Sequence, residues 1–185
     1  MDGSGGGLPH GLSDMLKGAM RKLFVFASFL LIVSCAHSKA PMAMATLDST
    51  SGSTAKGVVH LTDAGDGNVE VAVDLTGVPP GVHGFHIHEK GDCGNNAMNA
   101  GGHFNPTGMV HGAPDAQSHH AGDFGNVEAD ASGNVDETRM LHGITVSPGT
   151  TSVVGRAVIL HADPDDLKTQ PTGNAGARIA CGVVQ

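Results

Sequence analysis

Tryptophan and tyrosine are absent from this 185-residue chain and phenylalanine occurs only six times, so a hydrophobic core must be aliphatic. Basic residues are scarce, with ten Lys and Arg against eighteen Asp and Glu. Such a surface repels nucleic acid and anionic lipid. If an anion is the substrate, a few local cations must override the average. The apolar run Leu23–Val33 is too short to cross a bilayer. No internal repeat is present, and no helical period of about 3.6 residues occurs beyond the N-terminal segment. What the chain has instead is 28 glycines and nine prolines. They imply many turns, and the Val/Ile/Thr segments between them keep it out of the disordered class. The expectation is one turn-rich, all-β domain.

Arg21 and Lys22 before the Leu23–Val33 run give residues 20–34 the form of a secretory signal. Ile32-Val33-Ser34-Cys35 resembles the lipobox of bacterial lipoproteins, in which cleavage leaves an acylated cysteine. The other reading is an ordinary signal cut after Ala36 or Ala40, with Cys35 discarded. Residues 1–19 precede Met20, fit neither model, and read as a non-native upstream extension. Residues 35–41 read as a tether. Without residues 1–34 the chain holds seven basic and sixteen acidic residues, a net charge near −9 with histidine neutral. If Cys35 is lipidated or removed, Cys93 and Cys181 remain as one pair. An oxidising compartment would let them join; the alternative is two buried thiols.

Period-two alternation and turn residues mark eight strands. They are Met42–Asp48, Lys56–Leu61, Val69–Leu75, Val82–Glu89, Gly125–Ala129, Val135–Leu141, Val153–His161 and Ile179–Val184. Asp63–Gly67, Pro79-Pro80-Gly81, Ser132-Gly133 and Ser147-Pro148-Gly149 supply breaks. This spacing predicts an eight-stranded antiparallel Greek-key sandwich or flattened barrel.

Six of the twelve histidines fall between Gly84 and Asp123, where little apolar period exists to offset the entropy of ordering. His86 and His88 lie two apart on one strand face, about 7 Å apart at Cβ, so both rings can converge on one ion. Alone, His-x-His is a weak signal. His103, His111, His119, His120 and Asp123 follow within 21 residues, and His161 ends an apolar strand. Suppose a site uses His86, His88, His103, His111, His120, His161 and Asp123. Two four-coordinate ions need about eight donors, so one of these seven would be shared.

Gly84-Phe85-His86-Ile87-His88-Glu89, Gly102-His103-Phe104-Asn105-Pro106, His120-Ala121-Gly122-Asp123 and Gly173–Val183 (GNAGARIACGV) closely resemble the copper/zinc superoxide dismutase family. The resemblance covers residues 42–185 and suggests an exported bacterial member. It implies copper at His86, His88, His103 and His161, and zinc at His103, His111, His120 and Asp123, with His120 favoured over His119. It implies an anion-receiving Arg178, a Cys93–Cys181 disulfide, and Asp165, with Asp166 competing, supporting a histidine of each metal. Lys168 is the candidate second guiding cation. His83 falls on the other strand face and is expected to be structural; His60 and His142 are expected at the surface.

The activity implied is ping-pong dismutation of superoxide to dioxygen and hydrogen peroxide, with His103 taking up a proton between half-reactions. The alternatives are a non-catalytic copper/zinc carrier and a structural lipoprotein with incidental metal. The full ligand set and Arg178 tell against both. Superoxide is the expected partner, with no nucleic acid, and with membrane contact only through lipid at Cys35. The expected location is the periplasm or an envelope membrane. Familiar members continue beyond Val183-Val184-Gln185 with apolar residues of a dimer interface, near which Lys90 replaces an apolar residue. A homodimer remains an expectation; its usual interface does not.

Overall fold

The computed structural model describes residues 39–185. The upstream extension, the signal segment and Cys35 lie outside them. Within them the eight strands are β1 Met42–Ser49, β2 Lys56–Gly65, β3 Asn68–Thr76, β4 Gly81–His88, β5 Asp123–Ala129, β6 Val135–His142, β7 Ala157–His161 and β8 Arg178–Val183. They form one antiparallel sheet in the order β5-β4-β7-β8-β1-β2-β3-β6. Its edges meet: Arg139 of β6 donates to Phe124 O on β5 at 3.0 Å and stacks over the Phe124 ring. The result is the expected flattened barrel. Its β1-β2-β3 meander crosses to β4 and β5, returns to β6, and crosses again to β7, which makes it a Greek key.

Alternation explains one half of the barrel. Ala43, Ala45 and Leu47 of β1 and Val69, Val71, Val73 and Leu75 of β3 point into the core, while their neighbours face outward. In the other half both faces are covered. From His83 to His88 every residue of β4 is buried: Phe85 and Ile87 lie in the aliphatic core, and His86 and His88 lie beneath irregular segments. Phe85 meets Phe124 edge-on at 5.1 Å.

Strand ends differ from the sequence reading by more than two residues at two places. β2 runs through Asp63 to Gly65 with a bulge, and the hairpin turns at Asp66-Gly67, where both residues have positive φ. That is the primed-turn geometry matching strand twist. β7 starts at Ala157 rather than Val153, because Arg156 N bonds back to Val153 O and Gly155 turns the chain at φ 80°.

Candidate metal centre

β4 places His86 and His88 on its outer face with ring centroids 6.4 Å apart. β7 runs beside β4 and ends at His161. Beyond β4 the chain doubles back without a full strand. Glu89 N bonds to Gly102 O, Phe104 N to Ile87 O, and Ile87 N to Gly122 O. A bridge pairs His88 with His103. These backbone bonds bring a loop ligand to the strand ligands. Gly122 permits the approach, because a Cβ there would collide with Ile87 O.

Two buried donor sets result: His86, His88, His103 and His161, and His103, His111, His120 and Asp123, each with its ligand atoms within 4.8 Å of one another. His103 belongs to both. In the first set, His86 Nε2–H donates to Asp165 Oδ2 at 2.9 Å, and Nδ1 has no partner. His88 and His161 donate from Nδ1 to Gly101 O and Gly176 O, which leaves their Nε2 lone pairs facing each other at 3.4 Å. Burial lowers His86 to about 4, His161 to about 3 and His88 well below its usual value. Neutral rings with bare nitrogens aimed at one point fit a cation.

In the second set, Nδ1 of His103, His111 and His120 surround Asp123 Oδ1 at 2.6, 3.0 and 3.2 Å. His111 Nδ1 lacks hydrogen-bond alignment there, and His103 Nε2 has no partner. Oδ2 of Asp123 accepts the backbone N–H groups of Gly112 and His120. Burial opposes ionisation of Asp123, yet the His103 and His111 imidazoles, with the His120 N–H, hold its carboxyl well below the usual range. Burial also opposes charge on His111, but Asp123 and Asp165 outweigh it and raise His111 to about 9. Three imidazoles and a carboxylate suit zinc, and four imidazoles suit copper(II).

The family model for copper/zinc superoxide dismutase (SODC) matches residues 55–184. This chain belongs to the copper/zinc superoxide dismutase family. Among solved structures, the crystal structure of the clock protein EA4 superposes with a TM-score of 0.71 at 38% identity, covering 80% of this chain and 95% of that one.

The barrel brings further side chains to these donor sets. Asp165 is buried, and its two oxygens bond His86 and His111, one in each set, at 2.9 Å. Asp166 instead caps its own turn through Thr169. Gly173, at φ 67°, lets the backbone pass where a Cβ would strike Asp165 Oδ1. Arg178 is half-buried and donates to Ala97 O and Gly101 O. Gly101 O also accepts from His88, so the guanidinium stands beside the first donor set. Cys93 and Cys181 form a disulfide with Cα atoms 5.8 Å apart.

Among the described residues, the remaining histidines belong to neither donor set. His119 bonds the carbonyl of His120 and joins neither set. His83 is buried between the carbonyls of Pro79 and His161. His60, His142, Lys90 and Lys168 are exposed. Two positioning residues escaped the sequence reading. Asn126 exchanges two bonds with the Asp165 backbone, and Gln170 exchanges two with that of His111. These pairs lie 39 and 59 residues apart, and a lone amide in a strand or loop carries no spacing signal.

Proposed function

We propose that this protein dismutates superoxide, consuming two superoxide anions and two protons and forming dioxygen and hydrogen peroxide. His86, His88, His103 and His161 would hold copper, and His103, His111, His120 and Asp123 would hold zinc. Bound copper supplies a one-electron couple that accepts an electron from one superoxide and returns it to the next. His103 would store a proton between those halves at Nε2, which is buried and unpartnered while Nδ1 faces Asp123. Arg178 would receive the anion, with its guanidinium anchored through the carbonyl that also orients His88. The observation that carries this reading is the sharing of His103 between two buried donor sets with Arg178 alongside. A carrier needs neither the sharing nor the anion site.

Arg178→Ala tests the steering role. The variant is expected to retain both metals while its bimolecular rate falls about tenfold or more and loses salt dependence, since local cations raise on-rates by about 10–1,000-fold. Rapid-mixing kinetics across ionic strength measure both; an unchanged rate removes Arg178 from the mechanism.

The signal-like residues 20–34 and Cys35 support a second part of the proposal, that the enzyme acts at the cell envelope on superoxide outside the cytoplasm. Labelled fatty acid should enter the expressed protein, and Cys35→Ala should abolish labelling. Equal labelling of both forms would refute acylation at Cys35.

A further inference from the structure

The outer face of the β1–β2 hairpin carries soft metal donors that the buried donor sets do not use. Met42 and Met44 alternate with buried Ala43 and Ala45, so both side chains leave β1 on the solvent side. They are 52% and 40% exposed, which burial does not explain. Met44 pairs in register with His60 of β2, and Met42 with Thr62. Met44 N and O both bond Gln185, on the side away from β2. Met44 and His60 therefore form a non-hydrogen-bonded cross-strand pair, the type in which facing side chains come closest. Met42, two residues along, projects from the same face about 7 Å away. All three line one shallow cavity of about 270 Å³ with Ala43 and Gln185.

Two flexible thioethers and an imidazole across a cavity of this size form an S₂N donor set. Thioether sulfur is soft and favours copper(I), whereas zinc and harder cations prefer nitrogen, thiolate or oxygen. The strand pairing fixes the three backbone positions, so binding costs only side-chain ordering. We propose that Met42, Met44 and His60 form a surface copper(I) site separate from both buried donor sets. This site stands on the hairpin alone and does not depend on the catalytic reading.

The test is an anaerobic titration of the full chain, with both buried donor sets already loaded, using copper(I) against a chromogenic copper(I) chelator. The wild type is expected to take up one further copper(I), with sulfur scattering in its X-ray absorption spectrum. Met42→Leu/Met44→Leu keeps side-chain volume at exposed positions and is expected to retain the melting temperature and superoxide activity. Its apparent copper(I) affinity should fall at least about tenfold, since losing even a residue that only supports a metal ligand costs that much. His60→Gln should weaken binding in the same direction. No additional copper(I) in the wild type, undiminished affinity in the double methionine variant, or equal uptake of zinc in place of copper(I) would overturn the proposal.

Discussion

Removing the metals with a chelator is expected to lower the melting temperature by about 6–36 °C. His86 Nδ1, His103 Nε2 and His111 Nδ1 are buried without hydrogen-bond partners, and an unsatisfied buried polar group costs about 1–3 kcal/mol. Three such groups make a deficit of roughly 3–9 kcal/mol, at about 2–4 °C per kcal/mol for a domain of this size. The metal-free protein should also be sensitive to pH from both sides. His111 is raised to about 9, so its contribution is complete below about 6.5 and is lost as pH rises through 9. His86 and His161 are lowered to about 4 and about 3, so theirs is complete above about 6.5 and is lost as pH falls toward those values. Scanning calorimetry of both forms across pH measures this. An unchanged melting temperature after verified metal loss would show that the donor sets do not hold structural metal.

Cys93→Ser is expected to cost about 2–5 kcal/mol, the usual penalty for losing a native disulfide. The bond spans a sequence separation of 88. It lies in a small apolar cluster of its own, with Ala97, Ala100, Ala157, Ile159 and Cys181. Its removal should reach beyond stability, because the segment anchored by Cys93 carries Ala97 O and Gly101 O, which hold Arg178. The variant should therefore lose superoxide turnover even at temperatures where it remains folded. Denaturant unfolding read beside activity separates the effects. Full turnover in a folded Cys93→Ser protein would show that the disulfide does not position the arginine.

The barrel was legible because its strands follow elementary alternation: Val69, Val71, Val73 and Leu75 point inward wherever the hairpin is placed. The buried β4 was legible for a different reason, since its outer face carries histidines. Boundaries were less accessible. Val153–Arg156 has strand-like composition, but Gly155 turns it, and that depends on a bond to Val184. The seven donors were visible as residue types and, through family motifs, as two sets. Their support was visible only in part: Asp165 sits in a recognisable loop, whereas Asn126 and Gln170 act through backbone bonds that require the folded barrel. The exposed Met42-Ala43-Met44 run reads in sequence only as part of a strand. Its juxtaposition with His60 comes from register.

Two buried donor sets sharing His103 should sustain superoxide turnover. Metal analysis of the purified protein, paired with direct observation of superoxide decay, tests it most directly. The expected result is one copper and one zinc per chain, with decay accelerated in proportion to bound copper. Zinc alone, and no acceleration after copper loading, would contradict it and leave a metal-binding member of the family without the activity.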